Sequence, residues 1–589
     1  MMEVRDGVID SPFFRALVFR NNLPFLRPSI KAFLLLLIFS DPSFLILSDS
    51  MIFATALIVA AVTYLWLRYK HHLDMVDGMP GYRQFLSHGN LLIIAKFLPT
   101  RIFGITIFKY GPSFYWLNKY KELYEPLKAD MVSFVSVDSK SAVLLADADM
   151  IKKVTGNRTK FPKPIEFYGV LRLFGQNVVT AEGDEWRHHR KVAAPSFSDQ
   201  NNRLVHEQTV KQTLAMMQSW HNDKTKDAAS TMSDSVVVQV DEALIKLTMY
   251  VISGAGFGIE LDWENSDVIP KGHRLPFWKA LEIVSLNTLP RLILPRWVFK
   301  WVPSAFLKEI DLGFEEYESY VSEVIQGAKR RMIMANSNTA VSPVGDEGSL
   351  GQGKQADLLY ALIEASLTQD EHGKPVLDDT EISGNTFIFL LAGHETTAHT
   401  LIFALGLLAL HQDEQEKLYK EIEAAIGQNV PTYDDFNALH YCLCVFYEAL
   451  RLFPPVVMIP KKCDEDTEFG KYHVKKDTYV DIHVSALHRN PKYWGPDAEA
   501  FRPERFDTRQ GREYRRDAFV PFSDGMRSCL GKRFAQVEAV CALALICQRY
   551  KIEVADEKDR ATLLDCHEKL TLTPLKHVNL RMTRRRITA

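Results

Sequence analysis

Apolar residues recur at helical spacing through most of this chain, and only short stretches favour β-strands. The β-prone runs are Phe134–Ala146 and Tyr472–His483, where branched and aromatic residues are frequent. A turn-forming cluster at Asp77–Gly81 separates an apolar N-terminal region from the rest. The pattern predicts a protein that is mostly α with a small β-sheet portion.

One predicted helix is unusually long and has a polar centre. It runs from about Glu381 to Leu410, with Asp379 or Thr380 as its N-cap. Serine and threonine hydroxyls inside helices compete for backbone carbonyls and can bend the axis. The polar stretch Gly393–Thr400 therefore indicates either a functional bend in one helix or an N-cap that divides two helices.

An uncharged apolar run near the N-terminus, Met51–Leu67, is followed at once by a cluster of basic residues at 68–72. Seventeen helical residues span roughly 25 Å, at the short end for a bilayer crossing, and basic flanks favour the cytoplasmic side. We expect a transmembrane anchor at residues 51–70. A cleaved signal peptide and a buried core helix are the alternatives. Residues 1–50 form an N-terminal extension of uncertain status, and residues 71–589 form one domain.

Composition places the chain among ordinary globular proteins. Of its 589 residues, 47% are hydrophobic and 24% are charged, which excludes disordered, collagen-like and disulfide-scaffold proteins. The formal net charge of −3 gives no global sign of nucleic-acid binding. Seven cysteines all lie at or after Cys442, and none has Cys-x-x-Cys spacing, so a reducing compartment is expected.

Cys529 has distinctive neighbours. Glycines at 525 and 531 flank it, and a helical run from Lys532 to Tyr550 follows. Glycine lets the backbone turn tightly and approach a planar ligand, and a helix N-terminus favours a thiolate. Such a thiolate suits a haem iron as a strong axial ligand, whereas an isolated cysteine is usually structural.

The segment around Cys529 matches a known signature. Phe522, Gly525, Arg527, Cys529 and Gly531 fill every fixed position of Phe-x-x-Gly-x-Arg-x-Cys-x-Gly. The chain resembles the cytochrome P450 family here, and the fold that this implies is the cytochrome P450 fold. Further motifs resemble that family in the expected order, and the resemblance extends from about Pro80 to the C-terminus. They are Trp186–Arg190, Ala392–Thr397, Glu448–Arg451 and Phe501–Phe506.

The resemblance implies a role for each motif residue. Cys529 would be the proximal ligand of haem b, and Glu395 and Thr396 would be the acid–alcohol pair that supplies protons when O2 is activated. Gly393 would leave room for O2. Glu448, Arg451 and Arg505 would form a structural ion-pair cluster. The remaining cofactor-binding residues are Trp186, Arg190 and Arg527 at the propionates, Lys461 as a further basic partner, and Phe522, Gly525 and Gly531 in the cysteine loop.

The resemblance also implies a substrate cavity above the haem. Its walls would include Phe161–Val179, Pro455–Met458, Phe387 and Leu391. The segment Leu289–Leu307 mixes tryptophans with arginines and a lysine, which suits either a membrane interface or an internal amphipathic helix. His399, His440, His483 and His488 are expected to be packing or surface residues rather than iron ligands.

The function implied is that of a microsomal-type haem-thiolate monooxygenase. It would insert one oxygen atom from O2 into a lipophilic small-molecule substrate, at an endoplasmic reticulum membrane, with the catalytic domain on the cytoplasmic side. NADPH-cytochrome P450 reductase would be a separate partner, with cytochrome b5 as a second candidate donor. An O2-independent isomerase or dehydratase of the same fold and a non-catalytic haem-binding protein are the alternatives. The motifs do not identify the substrate.

Overall fold

The computed structural model describes residues 49–83, 101–102, 105–106, 114–137, 141–222, 234–263, 267–336, 357–369, 373–511 and 513–585. The expected extension at residues 1–50 lies almost wholly outside these ranges. Helices dominate the described residues, and the strands are short, so the predicted class of mostly α with a small sheet portion is confirmed.

Most helices pack around one large hydrophobic core, and two short helices contribute with the large sheet to a second, smaller cluster. The helices are numbered here in chain order. They are α1 (Asp49–Asp74), α2 (Phe114–Leu117), α3 (Tyr120–Leu123), α4 (Ala148–Gly156), α5 (Gly183–Ala193), α6 (Asp199–Asn222), α7 (Val240–Phe257), α8 (Phe277–Ile293), α9 (Arg296–Trp301), α10 (Ala305–Asn336), α11 (Asp357–Leu367), α12 (Asp379–Leu410), α13 (Gln412–Ile426), α14 (His440–Leu452), α15 (Val484–Leu487), α16 (Pro491–Trp494) and α17 (Lys532–Arg549).

The strands form one mixed five-stranded sheet and several smaller ones. The large sheet has the order β1-β4-β5-β10-β7, and the three-stranded sheet has the order β11-β14-β6. Hairpins join β2 to β3, β8 to β9 and β12 to β13. The strands are β1 (Gly81–Arg83), β2 (Arg101–Ile102), β3 (Ile105–Thr106), β4 (Met131–Val135), β5 (Ala142–Leu145), β6 (Ser235–Gln239), β7 (Ile459–Lys462), β8 (Thr467–Phe469), β9 (Tyr472–Val474), β10 (Tyr479–Ile482), β11 (Tyr550–Val554), β12 (Cys566–Glu568), β13 (Leu572–Pro574) and β14 (Asn579–Arg584).

Each predicted β-prone run contains two strands rather than one. The run at 134–146 contains the end of β4 and all of β5, which pair antiparallel with Phe134 opposite Ala142. The run at 472–483 contains β9 and β10, which belong to different sheets. Asp477, between them, adopts a positive φ of 69°. The reversal lies in the polar segment 475–478, so the β-prone run as a whole is not one strand.

The long helix α12 is continuous, so the interpretation as two helices divided by an N-cap is wrong. Its N-cap is Asp378, one residue before the predicted cap, and Asp378 and Glu381 form a reciprocal capping box. The Thr396 hydroxyl donates to the Ala392 carbonyl at 2.9 Å, which satisfies it inside the helix. Apolar residues on both sides of the polar centre are buried, and each buried leucine contributes roughly 1.5–3 kcal/mol.

The N-terminal helix α1 exposes much of its apolar surface. Leu57, Ile58 and Val62 are each more than half exposed, and Tyr64 and Trp66 are exposed beside them. In the part of the chain that is described, the helix that meets a length and hydropathy criterion for a membrane span is α12, and 72% of its apolar window is buried. That burial identifies α12 as a core helix.

Strand β10 carries a buried carboxyl group that makes stability depend on pH. The Tyr115 hydroxyl donates to Asp481 at 2.7 Å, and burial raises the pKa of Asp481 to about 7. A carboxyl whose pKa is raised on folding stabilises the fold below its unfolded pKa, and this stabilisation is lost as the pH rises through about 7. Burial raises the pKa of nearby Glu568 to about 7 as well.

We therefore expect Asp481→Asn to stabilise the protein at neutral and higher pH. The amide cannot ionise, so the variant gains up to about 4 kcal/mol over the wild type near pH 8 and little near pH 4. Urea unfolding midpoints across this range measure the difference. Asp464→Asn, at an exposed site, serves as the control. A constant difference between Asp481→Asn and wild type at every pH would contradict the assignment.

Candidate active site

The cysteine loop is held by backbone hydrogen bonds before α17 begins. The Cys529 amide donates to the Phe522 carbonyl at 2.9 Å, and the Ser528 amide donates to the Gly525 carbonyl at 3.0 Å. Gly525 has a φ of +70°, and a Cβ there would lie 2.3 Å from the Thr155 carbonyl oxygen. Glycine is thus required at 525 by conformation and by space, because an L side chain satisfies neither.

The Cys529 thiol is accessible from a cavity between α12 and this loop. Burial raises its pKa, while a hydrogen bond from the Gly531 amide and the charges of Arg190 and Lys532 act in the opposite direction. A Cβ at Gly531 would lie 3.9 Å from the sulfur, so it would stand beside the thiol. The donor set around the sulfur is the kind that stabilises a thiolate once a metal binds it.

Helices α12 and α7 form another wall of the cavity. Gly393 faces Ile252, and a Cβ at 393 would lie only 3.0 Å from an Ile252 side-chain carbon. Apolar side chains dominate the remaining lining, which draws on several parts of the chain. The lining residues include Val178, Val179, Phe197, Ile388, Phe389, Ala392, Thr396, Thr397, Phe446, Leu450, Pro455, Val456, Met458, Phe522, Leu530 and Phe534.

Basic side chains gather around Trp186 at one end of the cavity. Arg190 and Arg527 lie over the indole, with their guanidinium carbons 5.7 Å and 4.4 Å from its ring centroid. Arg190 also donates to the Ser528 carbonyl at 2.9 Å, and Arg527 pairs with Glu182 at 2.6 Å. Trp186 and Arg190 reach Arg527 and Ser528 because α5, which begins at Gly183, packs beside the cysteine loop.

Two lysines complete this group. Lys461 on β7 is 5% exposed, and burial, with the nearby Arg527, lowers its pKa to about 8. Lys163 donates to the Val179 carbonyl at 2.7 Å, and burial, with the same neighbours, lowers its pKa well below the usual value. Lys163 was not predicted, since nothing in its local sequence distinguishes it from a surface lysine. Its role emerges only from the contact between its loop and β7.

This end of the cavity suits an anionic group. Arg190, Arg527, Lys163 and Lys461 line it, and Glu182 is the carboxylate that pairs with one of them. The Nε atom of Arg527 is buried and has no hydrogen-bond partner. Buried cations without enough counter-charge are costly, so a ligand that carries carboxylates there would relieve the cost. The residues present therefore fit a haem whose propionates lie at this end and whose iron faces Cys529.

The two residues of the predicted acid–alcohol pair point in different directions. Thr396 lines the cavity, whereas Glu395 does not belong to its lining. The Glu395 carboxylate accepts a hydrogen bond of 2.7 Å from the Thr571 hydroxyl, in the turn between β12 and β13. Burial raises the pKa of Glu395, and Thr571 and Lys569 oppose that shift. Adjacent helical positions differ by about 100°, which accounts for the divergence.

Two predicted cavity residues lie elsewhere. Phe387 is fully buried against Phe174, at 4.7 Å between ring centroids, and Leu391 is buried on the same side of the helix, so the prediction is wrong for both. Ile388 and Phe389 line the cavity instead. Positions 389, 393 and 396 share one face of α12. If the predicted orientation of the helix is wrong by one or two residues, a residue of the core is taken for a residue of the cavity wall.

The segment Leu289–Leu307 also divides in an unexpected way. Trp297 and Trp301 in α9 are 60% and 81% exposed. Arg291 instead turns inward and pairs with Asp311 at 2.8 Å, with both side chains mostly buried. Arg291 therefore belongs to the packing between α8 and α10 and not to the exposed aromatic and basic face.

The structure contains the predicted ion-pair cluster of Glu448, Arg451 and Arg505. Arg451 donates both Nε and Nη2 to the Glu448 carboxylate at 2.7 Å, and neither side chain is exposed. The Arg502 amide donates to the same carboxylate at 2.9 Å, and Arg505 lies 3.5 Å from it. The cluster joins α14 to the segment that leads into the cysteine loop.

The four histidines expected to be packing or surface residues, His399, His440, His483 and His488, do not line the cavity.

Comparison with known proteins gives a consistent result. The model of the cytochrome P450 family matches residues 102–579. Cytochrome P450 monooxygenase 124 of Postia placenta is 35% identical over 530 residues, covering 87% of this chain and 95% of that protein. Cytochrome P450 monooxygenase ORF6 of Penicillium roqueforti is 31% identical, covering 75% and 79%. Cytochrome P450 3A13 of Mus musculus is 26% identical, covering 72% and 79%.

The fold, the cysteine loop and these matches define an oxidoreductase of the haem-thiolate class. The chain belongs to the cytochrome P450 family, and it is a monooxygenase, as its relatives are. Members of this family hold haem through a cysteine thiolate, accept electrons from a redox partner and act on lipophilic substrates.

Proposed function

We propose that the protein binds haem b through Cys529 and uses O2 and two electrons from NADPH to insert one oxygen atom into a lipophilic substrate. The observation that supports this most strongly is one cavity lined by the Cys529 thiol, the Thr396 hydroxyl and the group of cations around Trp186. The family membership fixes the general chemistry, and these residues supply the parts that such chemistry requires.

The haem, when bound, supplies the redox-active iron, and thiolate donation favours O–O bond cleavage. Arg190, Arg527 and Lys461 would bind and orient the propionates, and both guanidinium groups lie over the ring of Trp186. Phe522 packs beside the loop, while Gly525 and Gly531 let the backbone carry the sulfur to the cavity. The expectation that Gly393 leaves space for O2 is not supported, because Ile252 of α7 fills the position of the missing side chain. The Thr396 hydroxyl is bonded to the Ala392 carbonyl, so it would pass on a proton only after that hydrogen bond breaks, and Glu395 would supply protons from the adjacent face.

The substrate is proposed to be an apolar molecule of the terpenoid, steroid, fatty-acid or xenobiotic kind, which undergoes hydroxylation or epoxidation. Ile388, Phe389, Val456 and Met458 offer contacts without charge, so orientation depends on shape. A relative from Saponaria officinalis is named echinocystic acid 23-monooxygenase and is 27% identical over 439 residues. By its name, that relative acts on echinocystic acid, which supports including this compound among those tested.

We propose a single-pass location in the endoplasmic reticulum membrane, with α1 as the anchor and the catalytic domain on the cytoplasmic side. The exposed apolar side chains of α1 support this location, as do Trp297 and Trp301 in α9, since interfacial tryptophans stabilise contact with a bilayer. A separate NADPH-cytochrome P450 reductase would supply both electrons, and cytochrome b5 would be a second donor.

The test is reconstitution of the full chain with haem, NADPH-cytochrome P450 reductase and phospholipid vesicles. Lipophilic compounds are screened first by the change that each causes in the haem spectrum, and those that bind are then assayed with NADPH and isotopically labelled O2. We expect one labelled oxygen atom in the product and consumption that depends on both NADPH and O2. Product formed without either would favour the isomerase alternative. Haem binding without O2 consumption for any bound compound would favour the non-catalytic alternative.

A further inference from the structure

A hydrogen-bonded chain connects α12 to the β12–β13 hairpin beside the cavity. The Thr571 hydroxyl donates to Glu395 at 2.7 Å, and the Nδ1 atom of His399 lies 3.0 Å from the same hydroxyl oxygen. Glu395 and His399 are one helical turn apart on α12. Thr571 and His399 are 5% and 3% exposed, whereas Glu395 is partly exposed, so solvent reaches the carboxyl end of the chain.

The donor and acceptor roles follow from the chemistry of the three groups. A hydroxyl has one proton, and Thr571 uses it for the carboxylate, which can only accept when it is ionised. His399 must then donate from Nδ1 to the Thr571 oxygen. Burial lowers the pKa of His399 to about 3, so its ring is neutral and adds no charge to the chain. The Thr571 hydroxyl therefore accepts a hydrogen bond from His399 and donates one to the Glu395 carboxylate.

The hairpin is itself fixed to the cavity wall. The Leu572 amide donates to the Pro455 carbonyl at 2.9 Å, and the Lys569 amide donates to the Thr571 carbonyl at 3.0 Å. Pro455 is a lining residue, so the hairpin that carries Thr571 is attached to the cavity wall. The charged and titratable groups that face the chain are Lys569 and His567 on the hairpin and His394 on α12.

We propose that Thr571, supported by His399, is a positioning residue that holds the Glu395 carboxylate away from the cavity and controls when this group, after taking up a proton from solvent water, turns to pass that proton into the cavity. The inference rests on the proposed monooxygenase function for its catalytic consequence.

The test compares Thr571→Val, which keeps the shape of the side chain but lacks the hydroxyl, with Thr571→Ser, which retains it. Infrared titration of the haem-loaded protein follows the carboxyl band that Glu395→Gln removes. We expect the pKa of Glu395 to rise in Thr571→Val, because the carboxylate loses a donor, and to stay near the wild-type value in Thr571→Ser. Thr573→Val is the matched control, since its hydroxyl donates only to the Thr571 carbonyl, at 3.2 Å.

The same variants are assayed for product formed per NADPH oxidised. We expect this ratio to fall about tenfold in Thr571→Val and to recover in Thr571→Ser, as loss of a hydrogen bond to a charged group predicts. An unchanged Glu395 titration in Thr571→Val would overturn the inference. A shifted titration with a wild-type product ratio would overturn its catalytic part. If no variant oxidises NADPH, the proposed function fails, while the titration still decides whether Thr571 positions Glu395.

Discussion

Replacement of Cys529 by alanine is expected to abolish oxygenation and the optical signature of thiolate ligation. Among the described lining residues the cavity has one cysteine, Cys529, and Arg190, Lys532 and the Gly531 amide all favour its thiolate. Loss of partners beyond the ligands already costs about 10–100-fold in metal affinity, so loss of the ligand itself costs more. Haem content and the spectrum of the reduced, CO-bound protein measure the effect.

Two further variants make this result specific. Cys529→His can retain haem through nitrogen ligation, and we expect it to lose the red shift that thiolate donation produces, together with turnover. Cys547→Ala removes a buried cysteine on α17 that does not line the cavity, and it should keep the native spectrum. Native optical properties and full turnover in either Cys529 variant would refute the assignment of the iron ligand.

Glu448→Ala should yield protein that is destabilised by about 3–5 kcal/mol and largely free of haem, because the Arg451 guanidinium would stay buried without its carboxylate. Such a loss is a large part of the 5–15 kcal/mol that stabilises a typical domain. Arg502 and Arg505 would lose the same partner, so the segment leading to Cys529 would lose its attachment to α14. Urea unfolding and haem absorbance per chain measure the two effects.

An exposed ion pair provides the control for this experiment. Glu465 pairs with Lys160 at 2.7 Å, but its side chain is 63% exposed. Exposed pairs contribute about 0–1 kcal/mol, so Glu465→Ala should unfold close to the wild-type midpoint and bind haem normally. A Glu448→Ala protein that behaves in the same way would show that the buried cluster does not support the cysteine loop.

Local motifs allowed part of the site to be predicted. The residues at 522, 525, 527, 529 and 531 lie in one short loop, where spacing along the chain equals proximity in space. Glu448 and Arg451 are likewise three residues apart on one helix, so their contact follows from helical geometry. The face of α12 on which each residue lies is harder to predict from the sequence, and the prediction that Phe387 and Leu391 line the cavity is wrong. Phase errors of this size are expected when apolar residues surround a helix, because no polar face marks its orientation.

The amino-acid sequence by itself determined the helical class and the short motifs, including the loop around Cys529, the proposed iron ligand. Each of these depends on neighbours along the chain, whose geometry the backbone limits to a few forms. Only the tertiary structure decided that Lys163 joins the cations around Trp186, that Glu395 turns to Thr571, and that the hairpin carrying Thr571 is attached at Pro455. These contacts join residues that are far apart in the chain, and packing of the whole core selects them.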